Sequence, residues 1–256
     1  MNTAPDFLVV PHRARKPRRH GLTHVLDKGL PAADTDRLLQ VCGRFVDVWK
    51  FGWGTAYLDP GLAEKLAILR DHGVLGCTGG TLLEVAWSQG VVEKFLTWSG
   101  ELGFPCVEVS CGVAAIGPAE KRKLIEVAAE RFTVLAEIGS KDPHAEVSPG
   151  AWADAAAADR EAGATWVVAE GRESGTVGLF SPDGNVRGEV ADAVVDAVGV
   201  ECAVFEAPRK EQQAWLVRRY GADVNLGNIA PAETLGVEAL RLGLRADTFD
   251  PAAVRS

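Results

Sequence analysis

Short apolar, β-branched runs alternate along this chain with longer stretches in which apolar residues recur at helical spacing. The runs predict strands over Leu22–Asp27, Val46–Phe51, Val74–Thr78, Cys106–Ser110, Thr133–Ile138, Trp166–Glu170, Ala203–Glu206 and Asp223–Leu226. Amphipathic helices are predicted between them, among them Ala63–Asp71, Val91–Leu102, Pro118–Arg131, Ala151–Ala162 and Lys210–Tyr220. Pro118 suits a first helical turn, and Gly163 and Gly221 suit helix ends. Eight β/α repeats imply a parallel sheet, and eight is the number that closes a barrel. The expectation is α/β, a single-domain (β/α)8 TIM barrel over residues 21–256, preceded by a basic arm over residues 1–20. An open doubly wound sheet is the alternative, but the first strand ends in Asp27-Lys28-Gly29 without a GxGxxG turn.

The length of 256 residues fits such a barrel, which needs about 250. A net charge of -8 speaks against nucleic acid as the main partner. The basic residues Arg13, Arg15, Lys16, Arg18 and Arg19 then read as an arm packed on the barrel or on a neighbouring subunit. Five cysteines with no CxxC pair point to reduced thiols in the cytoplasm rather than to disulfides or structural zinc. No apolar run reaches a membrane span of roughly 18 residues.

Barrels of this kind place their chemistry at the C-terminal ends of the strands. There the chain sets a polar residue in almost every repeat, often beside glycine. Buried charges are costly unless paired or bound to a metal, so the pattern implies a polar basin. A ring of internal salt bridges closing the barrel mouth is the competing reading. Glu137, Glu170 and Glu206 can hold a divalent cation such as Mg²⁺, with Glu108 another candidate ligand. Lys50 and Lys141 can donate protons or clamp anions, and Lys141, Lys50 and Glu108 form the candidate catalytic set. Gly171-Arg172-Glu173-Ser174-Gly175 suits an anion loop, through Arg172, Ser174 and Gly175. Lys28, Arg209, Asn225, Gly227 and Asn228 complete the candidate substrate and phosphate contacts. His24 reads as a core histidine rather than a ligand.

Several blocks stand out along the chain: Leu26-Asp27-Lys28-Gly29-Leu30-Pro31, Lys50-Phe51-Gly52-Trp53-Gly54-Thr55, Gly79-Gly80-Thr81-Leu82, Glu137-Ile138-Gly139-Ser140-Lys141, Glu170 to Gly175, Phe205-Glu206-Ala207-Pro208, Asn225 to Ile229 and Leu242 to Phe249. Together they resemble the phosphosulfolactate synthase family. The resemblance spans roughly residues 20 to 249. It implies a barrel enzyme that adds sulfite to phosphoenolpyruvate in the presence of Mg²⁺, a carbon–sulfur lyase working in the synthetic direction. Small anionic substrates and a homo-oligomer are expected. Lys141 is then favoured over Lys50 as proton donor. The family pattern is broken at Cys111 and Val113, at Cys77 and Thr78, and at Arg209. Those at Cys111 and Val113 motivate, as an alternative, addition of a different nucleophile to phosphoenolpyruvate or a similar enolate. A non-catalytic, stress-associated homologue is the other.

Overall fold

The computed structural model describes residues 7–139 and 147–250. Eight strands, β1 (Thr23–Asp27), β2 (Val48–Phe51), β3 (Leu75–Thr78), β4 (Cys106–Val109), β5 (Thr133–Ile138), β6 (Trp166–Ala169), β7 (Ala203–Glu206) and β8 (Asn225–Ile229), close into one barrel in chain order. Every neighbouring pair is parallel, β8 against β1 included. The helices are α1 (Ala32–Cys42), α2 (Thr55–Leu58), α3 (Leu62–Asp71), α4 (Gly80–Ser88), α5 (Val92–Leu102), α6 (Pro118–Ala129), α7 (Pro149–Glu161), α8 (Gly188–Val198), α9 (Lys210–Tyr220) and α10 (Thr234–Arg241). Among the described residues, no helix is long and apolar enough to cross a membrane.

Local chemistry sets the helix ends. Pro118 opens α6 where its missing N–H costs nothing, with Glu120 in the first turn facing the positive end of the helix dipole. The α7 cap is Ser148, whose hydroxyl accepts from Ala151 N. At the other end of α5, Gly103 turns the chain with a left-handed φ of 85°.

Alternation along the strands builds the lumen in layers. Val48, Cys106, Leu135, Val168 and Val204 form an apolar layer that also takes in Leu22, Cys77 and Trp166. Two residues further along the same strands stand Lys50, Glu108, Glu137, Glu170 and Glu206, all lining a cavity at the C-terminal end. The apolar layer is thus the floor of a charged one. Three further apolar clusters fill the space between sheet and helices.

The eighth strand differs from the sequence-based expectation. It begins at Asn225 and runs through Gly227 to Ile229, instead of ending at Leu226. Gly227 does not terminate it; its missing side chain makes room for His24, whose Nδ1 lies 2.9 Å from where a Cβ would stand. The residues just before it are occupied elsewhere, since Arg241 takes the carbonyls of Ala222 and Val224.

At the N-terminal end of the barrel the arm is fastened by its cations. Arg13 bonds Glu238, Asp223 and the carbonyls of Ala222 and Gly21. Arg18 pairs with the buried Asp47 at 2.9 Å, and Lys16 donates to the carbonyls of Gly43 and His72. Arg15 and Arg19 are exposed.

Candidate functional site

Five buried charges surround the base of a cavity of about 390 Å³. Lys50 Nζ donates to Glu108 Oε2 at 2.9 Å and to Glu206 Oε1 at 3.1 Å. Glu108 Oε1 also accepts from Gly80 N, which opens α4, at 2.9 Å. Glu206 Oε2 accepts from the backbone of Gly171 and Arg172, and Glu170 Oε1 from Arg172 N at 2.7 Å. The turn after β6 is therefore held by the carboxylates it overlies. Glu137, Glu170 and Glu206 each offer an oxygen within 4.8 Å of the others, the trio expected from sequence.

The two carboxylates flanking Lys50 are driven apart in acidity. Burial and the charges of Glu137 and Glu206 raise Glu108, against the opposing pull of Lys50. Burial also works against the charge on Glu206, but Lys50, the Gly171 N–H and Glu170 outweigh it and hold Glu206 below its usual range. Burial disfavours the charge on Lys50 as well; Glu108, Glu206 and Glu137 reverse this and hold it well above the ordinary lysine value. Such a split is how one site keeps carboxylates in different states.

Above this base the wall is formed by Arg172 and Ser174 on one side and by Trp53, Gly79, Gly80 and Thr81 on the other, with Leu26, Val113, Glu173 and Asn228. Ser174 shares a hydrogen bond with Thr176. Gly175 packs on Gln212, whose Nε2 donates to its carbonyl at 2.8 Å. Lys28 stands at the mouth, exposed, 3.0 Å from Glu173. It also lines a neighbouring cavity of about 440 Å³ with Gly29, Pro31, Pro208 and Pro231, and the two cavities share Leu26, Glu173 and Asn228. Asn228 Oδ1 is buried with no hydrogen-bond partner among the described residues. Asn228 N donates to His24 Nδ1 at 3.4 Å, and burial together with Lys50 pushes that imidazole well below its usual value. His24 is therefore a neutral acceptor toward the β8 turn.

Asn225 must be corrected. It sits at the opposite end of the barrel, where its Nδ2 donates to the carbonyls of Val200, Glu201 and Ala203 and its Oδ1 accepts from Leu22 N. Because β8 starts at this residue, its amide is spent on backbone below the floor. Arg209 is a second correction: it is exposed at the start of α9 and its guanidinium lies against Gly184, outside the cavity lining. Gly227 contributes space for His24 rather than a cavity wall. Lys141 lies outside the described residues.

Some organising residues escaped the sequence reading. Glu84 of α4 receives Ser110 Oγ and the backbone N–H groups of Gly112, Val113 and Ala114, so it fixes the loop after β4. A carboxylate inside the apolar run Leu82–Trp87 was the available signal. Asp27 is structural too: it accepts from Lys65, Trp49 and the N–H groups of Gly29 and Leu30, setting the loop that carries Lys28. Cys111 is half-buried, and burial raises its thiol above the ordinary value against the opposing charge of Lys121.

The model of the family (2R)-phospho-3-sulfolactate synthase (ComA) matches residues 11–247. The chain belongs to the phosphosulfolactate synthase family. It is 40% identical over 250 residues to the phosphosulfolactate synthase of Methanothermobacter thermautotrophicus, covering 95% of this chain and 96% of that one. It is 41% identical over 237 residues to that of Methanocaldococcus jannaschii, covering 90% and 94%. These named relatives support an enzyme. The fold is shared more widely: a crystal structure of 3-hexulose-6-phosphate synthase superposes with a TM-score of 0.56 at 15% identity, covering 86% of this chain and 99% of that one. Within the family frame, the charged layer and the loop from Gly171 to Gly175 fall inside the matched residues.

Proposed function

We propose that this chain joins sulfite to phosphoenolpyruvate through a carbon–sulfur bond, giving phosphosulfolactate, with Mg²⁺ as cofactor. The observation that carries the reading is the buried trio Glu137, Glu170 and Glu206 beside Lys50, beneath Arg172 and Ser174, in a chain of this family. The donor set fits the ion. Three carboxylates offering only oxygen suit a hard divalent cation, and four buried carboxylates face one buried ammonium among the described cavity residues. When bound there, Mg²⁺ supplies positive charge where negative charge develops on the substrate carboxylate.

The remaining work belongs to the protein's own groups. Both substrates are anions and repel each other in water. Arg172, Ser174 and Asn228 hold phosphate or sulfite, and fixing the two together makes the encounter effectively intramolecular. The sulfur lone pair forms a bond to C3, and the alkene electron pair moves to C2 and into the carboxylate. A proton delivered to C2 completes the addition. Lys141, two residues beyond Gly139, is the proton donor in this reading. Lys50 stays a fixed cation between Glu108 and Glu206.

Purified protein incubated with phosphoenolpyruvate, sulfite and Mg²⁺ is expected to yield phosphosulfolactate by mass spectrometry, and a chelator is expected to stop it. Protein that binds phosphoenolpyruvate yet forms no sulfonate would overturn the assignment. One observation favours a second reading, addition of a different nucleophile: Val113 puts an apolar, 66% exposed side chain on the cavity wall. Competing nucleophiles in the same assay decide between the two.

A further inference from the structure

Three non-glycine residues among those described have left-handed backbones: Trp53 (φ 53°), Arg172 (φ 54°) and Asn228 (φ 55°). All three line the same cavity. Asparagine tolerates this region well, whereas for a bulky tryptophan it is a genuine outlier. Backbone strain of this kind survives only where the surroundings over-determine it, and it gathers at ligand sites.

The surroundings of Trp53 do over-determine it. Gly52 N donates to Asp27 O at 2.8 Å, and Thr55 N and Oγ1 both donate to Gly52 O, at 3.0 and 2.8 Å. From the other side, Gly79 approaches so closely that a Cβ there would lie 2.9 Å from both N and O of Trp53. The loop is therefore clamped in a shape that glycine or asparagine adopts more readily than tryptophan.

Packing does not explain why an indole occupies the position. The side chain is 45% exposed and belongs to none of the apolar clusters. What it faces does. Its ring forms part of the wall over a charged base, and Lys28 Nζ lies 5.7 Å from the ring centroid, a cation–π distance. An apolar, planar surface beside cations matches a ligand that is itself flat and unsaturated in the middle and anionic at its ends.

We propose that Trp53 is a substrate-contacting residue: its indole covers the planar unsaturated carbons of an enol-phosphate carboxylate, and it fixes Lys28 beside the anionic groups. This rests on the proposed reaction, and it adds the residue that selects for a flat three-carbon skeleton over a tetrahedral one of the same charge.

The test compares the whole protein with Trp53→Asn, which suits the left-handed backbone, and Trp53→Phe, which keeps a ring. Melting temperature, calorimetric binding of phosphoenolpyruvate and of 2-phospholactate, and turnover with sulfite are measured on all three. Trp53→Asn is expected to melt within about 2 °C of the parent. It is expected to bind phosphoenolpyruvate about tenfold more weakly, with the preference over 2-phospholactate lost, and Trp53→Phe is expected to retain part of both. Unchanged affinity and preference in Trp53→Asn would overturn the assignment. So would affinity lost together with several degrees of melting temperature, which would make Trp53 a structural clamp. A parent protein that binds phosphoenolpyruvate without forming product sinks the sulfite reaction, while the affinities still decide Trp53. A parent that binds no phosphoenolpyruvate overturns both.

Discussion

At the N-terminal end of the barrel, Arg13 meets Glu238 and Asp223, Arg18 meets Asp47, and Arg241 donates to the carbonyls of Leu22, Ala222 and Val224. At the C-terminal end, the buried charges lining the cavity are Lys50 and four carboxylates, Glu108, Glu137, Glu170 and Glu206, among the described residues. Both ends bury charge, but only one of them gathers it round a cavity. The N-terminal end sews the arm and the last helix to the strand starts. The C-terminal end sets four carboxylates and Lys50 round an open space, which is the signature of a site rather than of a seal. Buried polarity alone therefore does not mark function in this fold; carboxylates gathered round a cavity at the strand C-termini do.

Breaking the cavity end at Lys50, the one buried cation lining it among the described residues, gives the largest effect. Lys50→Met leaves Glu108 and Glu206 without their shared partner, and it is expected to lower unfolding free energy by about 3–5 kcal/mol as well as to abolish turnover, measured by urea denaturation and the product assay. A fully stable Lys50→Met protein would mean that Glu108 and Glu206 do not depend on Lys50. The N-terminal end is probed by Asn225→Ala, which strips partners from Leu22 N and three carbonyls. About 1–3 kcal/mol of stability should go, while the KM for phosphoenolpyruvate stays put at a temperature where the variant remains folded. A raised KM there would blur the division between the ends. The smallest effect is expected at Arg209→Ala: because the side chain is exposed and lies off the cavity wall, kcat/KM should fall by less than about twofold.

Much of this architecture was legible in the chain. The strands announce themselves because both faces of a parallel barrel are buried, so each reads as a compact apolar run. The acidic trio was legible for the same reason. A charge two residues beyond an inward-facing apolar residue, as in Leu135 to Glu137, Val168 to Glu170 and Val204 to Glu206, must sit in the next lumen layer. What failed was what depends on where a strand begins. Ending the eighth strand at Leu226 placed Asn225 near the site, whereas the strand runs on to Ile229 and Asn225 falls at the far end. Arg209 was misplaced because sequence gives a residue's order along a loop but not the direction of its side chain. Trp53 stood in a noticed motif, yet nothing in its neighbours Gly52 and Gly54 reveals that the tryptophan itself carries the positive φ. Glu84 acts on a loop 26 residues away, a contact that the packing of α4 against β4 creates.

The most direct measurement is a carbon NMR time course of the wild-type protein with phosphoenolpyruvate labelled at C3, sulfite and Mg²⁺. The account expects the alkene methylene signal to be replaced by that of a saturated carbon bonded to sulfur, and the conversion to cease on addition of a chelator. An alkene signal that persists while the protein binds phosphoenolpyruvate would contradict it, because the charged end of the barrel would then hold this substrate without joining it to sulfite.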